Sequence, residues 1–428
     1  LRTTGPPVAS PFRRLDAEKL AVAKAEFAQL EQDGIIRRSD SPWASPLHMV
    51  RKADGSWRPC GDYRRLNGVT TPDSYQLPNM MDFQARMEGC TVFSKIDLRK
   101  GYHQIPMHPA DVPKTAIITP FGLFEYTRMT FGMRNAGSTF QRLMDRVTAG
   151  HPGFPYLDDV IVGSKGDENH AGDLRGLFER LRAAGLVVNA EKCVFAQPEL
   201  EFLGHRVNAG GITPLPDKVA AIQQHPRPAT VQGLMGYLGM VNFYRRFIPG
   251  AAHTLRPLTD ALRGGKPLKS AVQWTEEMEQ AFVASKKALC DATLLAHPRQ
   301  RAELALATDA SGDHVGGVLQ QRATAAAPWE PLGFFSQKLD PAQTRYSAFD
   351  RELFACVAAI RHFRWLLEGR RFTLYTDHKP LTFALLKVSE PWTARQSRHL
   401  SFISEFTTDI RHIAGLDNVV ADTLSWPR

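Results

Sequence analysis

The sequence predicts a multidomain chain of mixed class, α+β in its N-terminal half and α/β at its C-terminal end, with a helical segment between. Three observations carry this. A length of 428 residues allows about three domains at roughly 100–200 residues each. Between about 217 and 290 the apolar spacing is helical throughout, with Leu234, Leu238, Val241 and Phe243 to Phe247 on the apolar face and no clear strand. After Pro298, short strand-like runs alternate with a long helical pattern, as an α/β domain of about 130 residues requires.

Residues 11–38 read as an entry turn and an amphipathic helix, with Leu20, Ala23, Phe27 and Leu30 at helical spacing and Gly34 as its stop. Ser41-Pro42-Trp43-Ala44-Ser45-Pro46 interrupts. The runs 47–50 and 57–60 then flank Lys52-Ala53-Asp54-Gly55-Ser56, a hairpin with an Asp-Gly turn around which basic residues gather. Segment 91–98 has the β-branched and aromatic content of a buried strand, and 115–126 gives two more strands around Pro120-Phe121-Gly122. Helical spacing returns from Asn135 to Val147. Residues 154–162 are two short apolar arms around Asp158-Asp159, a hairpin with the acids at its tip. A helix is expected over 170–185 and short strands over 194–213, before Pro214, Pro216, Pro226 and Pro228 mark a change of region. In the last part strands are expected at 304–308, 315–321, 332–336 and 371–376, a long helix over 350–367 and a short one over 418–425. Ala323 to Ala327 reads as a loop tip.

Composition narrows the class. With 43% hydrophobic and 23% charged residues and no run of ~18 apolar residues, a soluble globular protein is expected rather than a membrane-spanning one. The first residues lack both Met and the apolar core of a secretory signal, so the chain reads as an excised piece of something longer, and export is not expected. Five cysteines, Cys60, Cys90, Cys193, Cys290 and Cys356, are far apart and form no C-x-x-C pair. That speaks against a disulfide framework or a cysteine zinc site and suits a reducing compartment. The formal charge of +9 is uneven: Lys plus Arg against Asp plus Glu is 27 to 24 for 1–214, 11 to 6 for 215–300 and 15 to 14 for 301–428. A basic segment between near-neutral ones suits a clamp on a phosphate backbone, although solubility alone also accounts for such a charge.

Adjacent Asp residues are common as solvated turns. Asp158 and Asp159 stand out because they sit between Tyr156-Leu157 and Val160-Ile161-Val162, and clustered carboxylates beside apolar strands repel one another unless protonated or neutralised by cations. Asp97 ends the strand-like run Phe93-Ser94-Lys95-Ile96 and suits the same site if the strands are neighbours. Three such acids can hold two magnesium ions for in-line phosphoryl transfer, with nucleotide polymerisation as the first candidate; three unrelated surface acids is the alternative. Asp309, Glu352, Asp377 and Asp422 repeat the theme on four separate elements, in a region with fourteen acids to choose from.

At these residues the chain resembles the reverse transcriptase and ribonuclease H portion of a gypsy-class long-terminal-repeat retrotransposon polyprotein. The resemblance spans nearly the whole length. Its signposts are Ser41 to Pro46, Asp54-Gly55-Ser56-Trp57-Arg58, Asp62-Tyr63-Arg64-Arg65-Leu66-Asn67, Phe93 through Gln104, Phe131-Gly132-Met133-Arg134-Asn135-Ala136, Tyr156-Leu157-Asp158-Asp159, Phe202-Leu203-Gly204-His205 and Tyr244 to Ile248. Thr308-Asp309-Ala310-Ser311, Arg351-Glu352-Leu353, Thr376-Asp377-His378-Lys379-Pro380-Leu381 and Asn418-Val419-Val420-Ala421-Asp422 follow. The resemblance implies a right-hand polymerase followed by an RNase H-like domain: fingers and palm over 1–214, a helical thumb and short connection over 215–300, and the RNase H-like domain over 301–428.

It further implies that Asp97, Asp158 and Asp159 are the polymerase metal ligands, with the Leu98 backbone holding the nucleotide metal. Tyr102 would lie under the incoming sugar and exclude a 2′-hydroxyl, plain core being the other reading. Lys52 and Arg58 would grip the triphosphate, against the alternative of a solvated hairpin. Phe131 would stack and Gly132 permit close backbone approach. Asp309, Glu352, Asp377 and Asp422 would hold the ribonuclease H metals, while His378 is given a structural role. The implied cofactor is Mg2+, two per active site with Mn2+ as a substitute; the implied partners are RNA template, DNA primer, RNA–DNA hybrid and deoxynucleoside triphosphates, with no membrane. A homodimer, as in some relatives, stays open, and the expected setting is the cytosol or a retroelement particle, with the nucleus as an alternative. The protease and integrase of such polyproteins are not found.

One stretch departs from the pattern. Arg146 to Pro155 is about one residue short and holds Gly150, Pro152, Gly153 and Pro155 where a regular apolar strand is typical. A Pro there is expected to remove a ladder hydrogen bond, and a missing residue to invert the faces of the strand unless a bulge absorbs it, so that the acids are mis-aimed. Thr130, where Pro is common, is a milder change. The expected function is templated DNA synthesis with RNA cleavage in hybrids. The rivals are a decayed or host-adopted relic that binds nucleic acid without catalysis, and a purely nucleolytic protein.

Overall fold

The computed structural model describes residues 1–52, 55–385 and 392–414. The chain divides into two compact units, 1–86 with 90–198, and 87–89 with everything from 199 onward.

In the first unit, the helix Ala17–Gln32 starts where the Asp16 carboxylate accepts from the Lys19 N–H at 2.9 Å, and Gly34 beyond it takes φ +69°, a conformation that ends helices at little cost only for Gly. Its Ala23, Phe27 and Leu30 are buried, and the Phe27 ring meets Phe121 and Phe124, each full burial contributing about 1.5–3 kcal/mol. They share a core with a five-stranded sheet in the order Ile36–Arg38, Gly122–Tyr126, Ile117–Thr119, Ser45–Arg51, Trp57–Gly61. A second, antiparallel sheet runs Phe154–Tyr156, Asp159–Ser164, Val92–Asp97, Val194–Gln197. Helices Ala136–Val147 and Asp167–Ala183 add Phe140, Met144, Leu177 and Leu181 to the same core as Ile96, Val160 and Val162 of that sheet.

In the second unit, strands Glu199–Phe202, His205–Asn208 and Gly211–Pro214 form a meander completed by Leu295–Ala296. The chain between them is helical: Pro216–Gln223, Val231–Phe243, Ala251–Asp260 and Glu276–Cys290. A five-stranded sheet follows, in the order Glu330–Lys338, His314–Arg322, Glu303–Ala310, Thr373–Thr376, Ile410–His412, its last two pairings parallel. Helix Ala348–Leu367 buries Leu353, Val357, Ile360 and Phe363 in the core of this sheet, joined by Leu400 and Ile403 of the helix Ala394–Phe406.

The expected hairpins, sheets and long helices are present. The strands Ile36–Arg38 and Ile410–His412 were not anticipated; at three residues each they offer no alternation to read. The turn residues Ala53 and Asp54, the helix over 418–425, the Asn418 to Ala421 motif and Asp422 lie outside the described residues. Among the described residues the five cysteines form no disulfide, and no helix is long and apolar enough to cross a membrane.

Candidate active sites

The first unit gathers its acids through strand register. Asp97 closes the strand Val92–Asp97 and its partner across the sheet is Asp159. The Leu98 N–H donates to the Asp158 carbonyl at 3.0 Å, so the pair 98/158 is hydrogen-bonded and the pair Asp97/Asp159, one step along, is not. Non-hydrogen-bonded pairs sit closest, roughly 4.5 Å between Cα atoms, which sets the two residues side by side on one face of the sheet, with Asp158 in the adjoining turn. The same parity turns the peptide groups of Asp159 toward Tyr156 and sets Pro155 opposite Val160 in a non-hydrogen-bonded pair. Pro155 therefore lacks an N–H only where none would enter the ladder, on the outer strand of the sheet, and the expected loss of a ladder bond does not occur.

No bulge is needed either. Phe154, Pro155 and Tyr156 pair with Ile161, Val160 and Asp159 in unbroken register. The shortened approach is taken up before the strand, where the His151 N–H donates to the Thr148 carbonyl at 2.9 Å and Gly150 takes φ +71°. The His151 ring holds this corner, accepting from the Gly153 N–H at 2.9 Å and donating from Nε2 to the Asp173 carbonyl at 2.8 Å. Asp97 and Asp159 thus keep their pairing across the sheet.

The turn between the arms is strained and held. Leu157 takes φ +54°, which costs a non-glycine residue about 1–2 kcal/mol. Gln141, fully buried on the helix Ala136–Val147, accepts from the Leu157 N–H at 2.8 Å and donates to the Pro155 carbonyl at 3.0 Å and to Asp145 at 2.9 Å. Lys95 Nζ lies 3.2 Å from Asp159 Oδ1. Burial, reinforced by the charges of Asp158 and Asp97, pushes the Asp159 carboxyl above its ordinary range although Lys95 pulls the other way.

A cavity of about 490 Å³ beside the acids is lined by Lys52, Arg58, Asp97, Leu98, Phe131 and Asp158, with Lys192 on its wall. Tyr102, Gly132 and Asp159 do not line it. The Tyr102 ring packs against Phe131 and Phe140, centroids 5.0 and 5.4 Å apart. Gly132 takes φ +84° and a Cβ there would lie 3.3 Å from the Gly61 carbonyl oxygen, so any other residue is strained there. Asn67 pins this loop, donating to the Gly132 carbonyl and accepting from the Arg134 N–H, both at 2.8 Å.

The second unit's cluster is tighter. Thr308 and Thr376 pair on parallel neighbouring strands, which sets Asp309 and Asp377, the next residue of each, side by side at the strand ends. Glu352 reaches them from the helix Ala348–Leu367, its Oε1 accepting from the Ala310 N–H at 3.0 Å. One oxygen from each of the three acids lies within 4.8 Å of the others. Among the described residues this is the one such group; the acids of the first unit are not drawn together to that extent. Asp309 and Glu352 are buried, and Glu352 Oε2 has no hydrogen-bond partner. Burial first, then Asp309 and Asp377, pushes the Glu352 carboxyl up to about 9. An all-oxygen set with a partnerless buried carboxylate oxygen fits a hard divalent cation. His378 sits edge-on to Phe349 and gives its backbone N–H to Thr376.

Sequence reading missed Lys95, Gln141, Asn67 and Lys192. Two had a signal: Lys95 is two residues before Asp97, hence on the same strand face, and Gln141 interrupts the buried side of a helix carrying Phe140 and Met144.

The comparisons agree with this geometry. Residues 50–207 match the family described as reverse transcriptase (RNA-dependent DNA polymerase), and 274–374 match the RNase H-like domain found in reverse transcriptase. The chain is 36% identical over 416 residues to the retrovirus-related Pol polyprotein from transposon opus of Drosophila melanogaster, covering 94% of this chain and 41% of the relative. The chain carries a reverse transcriptase domain and an RNase H-like domain and is homologous to retrotransposon Pol polyproteins. The Pol polyprotein of Drosophila transposon 297 is 38% identical, with 94% and 38% covered, and the Tf2-3 polyprotein of Schizosaccharomyces pombe 32%, with 95% and 30% covered. The chain thus spans less than half the length of these Pol relatives. In fold, it matches a foamy viral protease–reverse transcriptase in complex with double-stranded DNA at TM-score 0.85, 19% identity, 96% of this chain and 72% of that one. A complex of the foamy viral enzyme with RNA/DNA hybrid gives 0.83, 20%, 100% and 57%.

Proposed function

We propose that this chain is an RNA- and DNA-templated DNA polymerase that also cleaves RNA in RNA–DNA hybrids, with Mg2+ in both sites, two ions each. The observation that carries the reading is the register that opposes Asp97 and Asp159 beside a cavity whose other wall is cationic. In it, Lys52 and Arg58 hold the triphosphate, one as a point charge and one as a planar fork of donors, while Phe131 stacks on the nucleotide and Gly132, next in the chain, lets the backbone approach. Tyr102, wedged between Phe131 and Phe140, excludes a 2′-hydroxyl. Asp97, Asp158, Asp159 and the Leu98 backbone would hold the ions here, and Asp309, Glu352 and Asp377, with Asp422, would hold them in the second site. Bound Mg2+ supplies charge stabilisation to the attacking and leaving oxygens. The substrates are RNA template, DNA primer, hybrid and deoxynucleoside triphosphates.

The test is a primed RNA template with deoxynucleotides and Mg2+, scored separately for extension and for RNA cleavage. Asp158→Asn is expected to lose extension alone and Asp309→Asn cleavage alone. Hybrid binding without either activity would overturn the reading in favour of a decayed relic.

A further inference from the structure

Two separate observations set Asp159 apart from its neighbours. The cavity holding Lys52 and Arg58 is walled by Asp97 and Asp158 but not by Asp159. Asp159 is instead bonded to Lys95, Nζ to Oδ1 at 3.2 Å, with both side chains about a quarter exposed. The register explains the contact: Lys95 faces Ile161 and Asp97 faces Asp159, so Lys95 shares the face of the acids and reaches Asp159 along the diagonal, a distance that long side chains span.

We propose that, before a nucleotide binds, Lys95 is a positioning residue that holds Asp159 in an internal ion pair, leaving Asp97 and Asp158 to take up the first divalent cation and Asp159 to join them only once the ammonium is displaced. The inference rests on the polymerase reading above. The ammonium and the metal compete for one carboxylate; Lys95 thereby sets how tightly the empty palm binds metal and keeps Asp159 turned along the strand. A merely structural pair would leave metal affinity unchanged.

The test uses the full chain carrying Asp309→Asn and Glu352→Gln, which silences the second cluster, titrated calorimetrically with Mn2+ in the absence of nucleotide. Lys95→Met is expected to bind Mn2+ roughly fivefold more tightly, about the worth of a partly exposed ion pair, and Lys95→Arg to match the parent. Asp159→Asn alone is expected to shift affinity less than twofold, and in the Lys95→Met background to abolish the gain. An unchanged affinity in Lys95→Met, or a tenfold loss in Asp159→Asn alone, overturns the proposal. Thermal melts establish that each variant is folded, with Lys95→Gln standing in should the Met variant not fold. Primer extension by the unmutated chain, run alongside, tests the polymerase reading independently, because the Lys95–Asp159 coupling is measured without catalysis.

Discussion

Replacing Gln141 by Leu removes the side chain that fixes the turn bearing Asp158 while preserving its bulk. The Leu157 N–H and the Pro155 carbonyl both lose their partner in a buried setting, at about 1–3 kcal/mol for each orphaned group. Asp145 keeps its bond from the Tyr75 hydroxyl, so its loss adds little. The expected destabilisation of the first unit is therefore about 3–4 kcal/mol, enough to relax Leu157 from its left-handed conformation and displace Asp158. A shift of about 1 Å at a reacting centre costs roughly 10²-fold in rate. Arg58, on the other sheet, and Lys52, just beyond its strand Ser45–Arg51, stay in place, so the deoxynucleotide KM is expected to change less than threefold while kcat falls about a hundredfold. Steady-state primer extension measures the split, urea denaturation measures the stability, and RNA cleavage by the second unit serves as the internal reference. Extension at the parent kcat by a stably folded Gln141→Leu protein would refute the argument that this side chain aims the turn.

Gly132→Ala is expected to weaken extension at least tenfold and to lower stability by about 1–2 kcal/mol, since alanine must adopt φ +84° beside the Gly61 carbonyl; differential scanning calorimetry and extension assays check both. Glu352→Gln should abolish RNA cleavage yet stabilise the metal-free protein at pH 7 by about 2 kcal/mol. Keeping that carboxyl protonated far above its unfolded pKa is a cost that a melt in chelator reveals. His205 is buried among Phe243, Tyr244 and Phe247, donates from Nδ1 to the Leu203 carbonyl at 2.9 Å, and is lowered to about 4 by burial and then by Arg246. The unfolded chain binds this proton first, so the contribution is fully present above about pH 6.5 and is lost as pH falls toward 4, by about 3 kcal/mol at most. His205→Gln should flatten that stretch of a stability–pH profile; an unchanged slope would count against the assignment.

Much of the fold was legible because its elements advertise themselves: the apolar arms around Asp158-Asp159, the strand ends at Asp309 and Asp377, and the long stripe of Leu353, Val357 and Ile360. What escaped depends on register, which no local pattern states. Whether Pro155 removes a ladder bond turns on which kind of pair it occupies, and that follows from the Leu98–Asp158 bond rather than from its own neighbours. Lys95 and Gln141 gain their roles from partners 64 and 16 residues away. The strand Ile410–His412 is too short to announce itself and exists because the edge Thr373–Thr376 is there to receive it.

The two sheets also differ in when they can be completed during synthesis. The last strand of the first unit's four-stranded sheet, Val194–Gln197, emerges before any strand of the second unit's five-stranded sheet, which waits for Ile410–His412. A ribosome delivering the N-terminal part first therefore releases every pairing partner of the four-stranded sheet while the second unit's five-stranded sheet still lacks its outer edge. Chains cut short in the intervening stretch would keep the means to gather Asp97, Asp158 and Asp159 and forfeit the platform behind Asp309 and Asp377.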